Sequence, residues 1–178
     1  MRKDFIIVFG FALLAIFMIS CSSSSDKTGG ASATTTITTT AVAGLSTLTA
    51  YDLDGNTHSF GEYVGKKPLI VNFWGTWCPP CKREMPDLKK IYDEYRGKGL
   101  EIVGLVVRST PQQVKDFTAQ YGYDWPMMMA DAQSARLFGL GSGVPFTVFV
   151  DRNGKVLSET FTGARTYNDF KRMVEQII

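Results

Sequence analysis

Past about residue 45, apolar and polar positions alternate with two different periods, and each period predicts its own elements. Leu48, Tyr51 and Leu53 precede Asp54-Gly55-Asn56, and Thr57 to Phe60 follow. A short hairpin around a Gly turn is expected there. Leu69-Ile70-Val71-Asn72-Phe73-Trp74 is apolar but for Asn72, as a strand buried on both faces requires. From about Cys78 to Tyr95, Met85, Leu88, Ile91, Tyr92 and Tyr95 recur at spacings of three and four, which predicts a helix with one apolar stripe. Pro86 lies inside it and predicts a kink, and Gly97 and Gly99 end it. Leu100 to Val107 predicts a second buried strand. Thr110-Pro111-Gln112-Gln113 supplies an N-cap, a proline at the first helical position and a capping-box glutamine, for a helix running to about Tyr121.

Asp131 to Phe138 reads as a short helix. Phe146 to Val150 and Val156 to Phe161 flank the turn Asp151-Arg152-Asn153-Gly154 and predict a second hairpin. Thr166 caps a last helix carrying Phe170, Val174, Ile177 and Ile178. The predicted order is β-hairpin, β, α, β, α, short α, β-hairpin, α. A strand–helix–strand crossover followed by a hairpin and a helix implies a mixed sheet with helices on both faces, compatible with a thioredoxin fold. Met127-Met128-Met129 after Trp125-Pro126 reads as strand core rather than a copper site, and His58 as a surface residue of the first hairpin.

The N-terminal pattern differs. Arg2 and Lys3 precede an apolar stretch from Phe5 to Ile19. Fifteen helical residues rise roughly 22 Å, short of the roughly 30 Å hydrocarbon core, so a signal-peptide core suits the stretch better than a stable span. The bases before it, with none closely after, orient the rest of the chain outward. Met18-Ile19-Ser20-Cys21 resembles a bacterial lipobox, with Met18 where Leu is usual. That resemblance implies a cut after residue 20 and lipid on Cys21, and multiple acyl chains anchor durably where one does not. An uncleaved anchor with an incidental Cys21 is the alternative. Residues 21–44 are Ser-, Thr-, Ala- and Gly-rich, too poor in apolar surface to offset ordering entropy, and are expected to form a flexible tether. The predicted organisation is a signal peptide over 1–20, lipidated Cys21 and tether over 21–44, and one domain over 45–178.

Composition narrows the function. The 178 residues are 44% hydrophobic and 20% charged, with a formal net charge of +2. Without a basic run in the globular part, composition gives no reason to propose a nucleic-acid partner. The three cysteines lie at 21, 78 and 81. A pair two residues apart closes too small a loop to serve as a structural staple.

Trp77-Cys78-Pro79-Pro80-Cys81 follows a predicted strand and opens a predicted helix. Disulfide exchange needs a thiolate near neutral pH, and a helix N-terminus supplies partial positive charge and free N–H groups to the first sulfur. Cys78 is therefore expected to attack and to be partly exposed. Cys81, one turn on and mostly buried, is expected to resolve the mixed disulfide. Half of a zinc site is the other meaning of such a pair, but four ligands are needed and His58 is the sole histidine. No metal or other cofactor is expected.

The stretch from Val71 to Pro86, VNFWGTWCPPCKREMP, resembles thiol–disulfide oxidoreductases of the TlpA/ResA/DsbE type, as do Gly143-Val144-Pro145 and the turn Asp151 to Gly154. The resemblance spans about Leu45 to Ile178. It implies a thioredoxin-like three-layer α/β/α domain with an N-terminal β-hairpin, and a cis Pro145 facing the cysteine pair. It places Trp77, Pro79 and Val144 at the substrate-binding surface, with the backbone at Val144 free to pair with a client peptide. Glu84 matches a glutamate that this subfamily carries, able to handle a proton for the thiols. Glu84 lies three residues after Cys81, hence on the same helical face, but a helix Glu on its own reads as a solvated charge, and Pro145 without the motif reads as a trans proline ending a loop. Asn72 stands where thioredoxin has a buried Asp, and Trp74 and Trp77 either wall the site or pack in the core.

The family further implies protein thiol or disulfide clients, among them apocytochrome c, and a membrane thiol-electron donor. A monomer held to a membrane by its lipid is expected. A disulfide reductant is the leading reading. A disulfide-forming oxidase and, from another class, a copper-binding or redox-inert domain of the same fold stand as alternatives.

Overall fold

In the computed structural model, which describes residues 44–178, the apolar run Leu69–Trp74 is strand β3, the centre of a five-stranded mixed sheet. All six of its residues are buried. It pairs in parallel with β4 (Glu101–Val106), from Leu69 opposite Glu101 to Trp74 opposite Val106. On its other side it pairs antiparallel with β6 (Phe146–Val150). β5 (Met127–Met129) lies outside β4 and β7 (Phe161–Thr162) outside β6, giving the order β5-β4-β3-β6-β7. β1 (Thr49–Tyr51) and β2 (Thr57–Ser59) form the separate antiparallel hairpin.

Strand alternation sends Leu69, Val71 and Phe73 to one core and Ile70 and Trp74 to the other, because successive side chains leave opposite faces. The first core is closed by Leu48, Ala50 and Phe60 around the hairpin and by Phe138 of helix α3 (Ala132–Phe138). The second is closed by α1 (Pro79–Tyr95) and α4 (Tyr167–Ile177), with Val114 of α2 (Pro111–Tyr121) joining it. These are the three layers expected of a thioredoxin-like domain, with the N-terminal hairpin in place.

Local chemistry accounts for the element ends. Thr110 and Gln113 form the capping box that opens α2, and Thr166 and Asp169 the one that opens α4. The α1 helix continues through Pro86, which has no N–H to give its preceding turn. The Asp52 carboxylate accepts from the Asp54 and Asn56 amides and the Asn56 side chain, which ties the first hairpin turn and holds its pKa far below the usual range. His58 also sits on Asp52, with Nε2 3.0 Å from Oδ2.

Two expectations change. The strand Val156 to Phe161 shrinks to a single bridge, Val150–Val156, and the two-residue β7. Pairing slips by two residues between Val156 and Phe161, so Ser158 to Thr160 loop out of the ladder as a bulge does. Ile178 is the exposed C-cap of α4, and Met173 joins Phe170, Val174 and Ile177 in the core. The methionine triplet, absent from the predicted element order, forms edge strand β5. Residues 1–43, on which the expected signal peptide, the expected lipidation at Cys21 and nearly all of the expected tether fall, lie outside the described residues.

Candidate functional site

The cysteine pair sits where β3 hands over to α1. Cys78 is the N-cap of α1, with extended backbone, and Pro79 and Pro80 occupy the first helical positions. Prolines have no N–H, so the first amide the helix offers is that of Cys81, and it donates to Cys78 Sγ at 3.2 Å. The next amide, Lys82, donates to the Cys78 carbonyl at 3.1 Å. A reduced Cys78 held in this way has one charge-assisted hydrogen bond and the positive end of α1 to favour its thiolate. Cys78 and Cys81 form a disulfide, with their Cα atoms 5.3 Å apart.

Val144-Pro145 is cis and faces the pair, with the Val144 carbonyl oxygen 3.6 Å from Cys78 Sγ. Cys81 is fully buried, as expected. Cys78 is only 2% exposed, which corrects the expectation of a partly exposed sulfur. The disulfide turns Cys78 toward Cys81, and the Val144 carbonyl covers it, so the sulfur joins the second core.

Glu84 departs from the solvated charge that a helix glutamate ordinarily is. It is 1% exposed, on the same stripe of α1 as Cys81, Met85 and Leu88. Its Oε1 accepts from Asn72 Nδ2 at 2.9 Å and its Oε2 from the Arg165 amide at 3.1 Å. Asn72 also donates to Thr147 Oγ1 at 3.0 Å from the position directly opposite on β6. Burial raises the Glu84 pKa to about 7; the two hydrogen bonds oppose that rise without overcoming it. Asn72 is neutral, so Glu84 is the acid that this seam holds near neutrality.

The loops beside the disulfide are tied by contacts that sequence reasoning did not find. Val107 N donates to the Trp74 carbonyl at 2.7 Å, and Trp77 Nε1 donates to the Val107 carbonyl at 2.9 Å. The Thr76 amide and hydroxyl both donate to Ser109 Oγ at 3.0 Å. Between Val107 and Ser109, Arg108 adopts φ +49°, a left-handed conformation unusual for a side chain other than Gly. Nothing in the string Val-Arg-Ser announces this, because the need for it arises from β4 meeting the loop after β3.

The two tryptophans divide. Trp74 is buried against Phe117, and its indole N–H has no hydrogen-bond partner among the described residues. Trp77 is 45% exposed and walls an open cavity of about 480 Å³ with Val107, Arg108 and the segment Leu140 to Val144. Pro79 is exposed at the first turn of α1. Cys21 lies outside the described residues.

The family described as Redoxin matches residues 30–177. The thiol-disulfide oxidoreductase ResA of Geobacillus thermodenitrificans is 39% identical over 142 residues, covering 78% of this chain and 80% of that protein. ResA of Bacillus anthracis is 35% identical, over 71% of this chain and 72% of that one. Among solved structures, a thioredoxin-family thiol:disulfide interchange protein from Chlorobium tepidum matches with a TM-score of 0.66. It is 32% identical and covers 73% of this chain and 92% of that chain.

Proposed function

The chain belongs to the Redoxin family and is a thiol–disulfide oxidoreductase of the ResA/DsbE type, and on that premise we propose that it reduces protein disulfides outside the cytoplasm, with Cys78 attacking and Cys81 resolving. The observation that carries the assignment of roles is the Cys81 amide donating to Cys78 Sγ at the N-terminus of α1.

The Cys78 thiolate attacks one client sulfur. A Cys78–client bond forms, the client S–S bond breaks, and one client thiolate leaves and is protonated. Cys81 then loses its proton and attacks Cys78 Sγ, which forms the Cys78–Cys81 disulfide and releases the second client thiolate. Two electrons pass from the protein dithiol to the client. In this scheme Glu84 takes the Cys81 proton, a role supported by its place three residues beyond Cys81 on the buried stripe and its pKa of about 7. A membrane dithiol donor then returns two electrons to the pair.

The exposed backbone of Gly141 to Gly143 makes no backbone hydrogen bond among the described residues, which suits an extended client pairing along Val144. Trp77 lines the cavity beside that segment, and Pro79 is exposed next to Cys78.

The test is the reduction potential of Cys78–Cys81 in the full chain in detergent, equilibrated against dithiothreitol or glutathione buffers. A value near about −270 mV supports the reductant, and one near about −120 mV makes the protein an oxidase. The attachment proposed for this chain is through lipid on Cys21, after removal of residues 1–20, with 21–44 as tether and 45–178 as the domain. Cys21→Ala is expected to abolish fatty-acid labelling; labelling that persists in the variant removes that part of the proposal.

A further inference from the structure

Arg108 is held in place at the groove beside the disulfide at a local conformational cost. Its left-handed backbone turns the Val107 carbonyl to the Trp77 indole and Ser109 to Thr76, and lays the guanidinium over the Trp77 ring at 4.4 Å from its centroid. Gly75 completes the clamp, because a Cβ there would come within 2.5 Å of Trp77 Nε1 and 2.7 Å of the Val107 oxygen. Trp77 therefore lies on Gly75, is bonded to Val107 and is capped by Arg108. These contacts set the Arg108 backbone, and its exposed guanidinium stacks on the Trp77 ring.

Among the described residues, Arg108 is also the single ionic group on the groove wall. Trp77, Val107, Leu140 and Val144 are apolar, and Gly141 to Gly143 offer backbone and one hydroxyl. Trp77 is the chain neighbour of Cys78, and the Val144 carbonyl touches the Cys78 sulfur, so what lies in the groove lies next to the exchanging bond. The first turn of α1 carries no acid, and exposed Lys82 and Arg83 follow Cys81, a placement the helix macrodipole disfavours. Both local costs are borne by basic residues on the segments that flank the disulfide.

We propose that Arg108 is a specificity-determining residue that selects client segments bearing an acidic side chain beside the cysteine to be reduced. This rests on the disulfide-reductant reading above and names the client chemistry for that same site. The client occupies the groove as an extended peptide, its backbone along Gly141 to Val144 and its carboxylate on the Arg108 guanidinium. A basic neighbour meets like charge and is disfavoured.

The experiment uses the pre-reduced full chain in detergent and three peptides, each with one internal disulfide, that differ in having Glu, Gln or Lys beside the first cysteine. Single-turnover reduction by the unaltered protein is expected to rank Glu, Gln, Lys, with about tenfold between the ends at low ionic strength. The spread should narrow as salt is added. Arg108→Glu should reverse the order. Peptides are compared within one variant, so partial misfolding cancels from the ratio. Equal rates for the three peptides, or an order that survives Arg108→Glu, overturns the role of Arg108 and leaves the reductant standing. Failure to reduce any of the three overturns the reductant reading itself.

Discussion

Asn72 Nδ2 donates to Glu84 Oε1 across 2.9 Å, and this bond joins the strand before the cysteine pair to the helix after it. Both residues are buried. Asn72 sits between Ile70 and Trp74 on the face of β3 that α1 covers, so the bond is a polar seam inside an otherwise apolar contact. Thr147 and the Arg165 amide complete it.

Glu84 makes stability depend on pH in the direction opposite to most carboxylates. Its folded pKa of about 7 lies above the ordinary 4.5, so between these values the folded protein holds a proton that the unfolded chain has lost. Stability therefore falls as pH rises from about 4.5 to about 7, by about 3 kcal/mol for a shift of this size. Denaturant melts of the reduced or the oxidised protein at pH 5 and pH 8 should show the loss, and Glu84→Gln should flatten it. The same variant should remove any inflection near pH 7 from the rate of client reduction. A wild-type curve flat across this range refutes the buried acid.

Asn72→Ala removes a donor from Glu84 and from Thr147 together. The expected destabilisation is about 1–3 kcal/mol, read as a lower urea midpoint with unchanged slope. The Glu84 pKa should climb further, since the Asn72 bond is the largest influence holding it down. A carbonyl-stretch titration that finds Glu84 unmoved in the variant counts against the bond.

On the proposed roles, Cys81→Ser leaves the attacking thiol without its resolving partner. The variant should accumulate a client–Cys78 mixed disulfide, visible as a non-reducing gel shift that dithiothreitol reverses. Cys78→Ser should trap nothing. If Cys78→Ser traps and Cys81→Ser does not, the two roles are exchanged.

Gly75→Ala tests the Trp77 clamp. The added methyl would meet Trp77 Nε1 and the Val107 carbonyl well inside contact distance, and backbone on one side cannot yield easily. Overpacking of this kind costs about 1–3 kcal/mol. Trp77 should leave the Val107 carbonyl, altering tryptophan fluorescence and slowing client reduction. Unchanged fluorescence and rate would show that the indole is not held there.

Much of this protein follows from residue order alone. A run with five apolar residues in six fits a strand covered on both faces, and Leu69–Trp74 is one. Caps act over three residues, so Thr110, Asp131 and Thr166 mark helix starts that the structure reproduces. The cysteine pair is local too: two residues apart and followed by helical periodicity, it must lie at a helix N-terminus. Even the burial of Glu84 has a local cue, because the residue shares the stripe of Cys81, Met85 and Leu88.

Tertiary structure decided what depends on residues far apart in the chain. The Glu84 pKa needs β3 and the Arg165 loop to enclose it, and enclosure, not sequence, sets the desolvation. The burial of Cys78 needs the Val144 carbonyl, 66 residues away. The left-handed Arg108 exists because Val107 and Ser109 must both bond the loop that ends in Trp77, a demand that arises only when β3 and β4 lie side by side. Periodicity and caps are short-range properties and can be read along the chain, whereas electrostatic environment and backbone strain belong to pairs that only folding brings together.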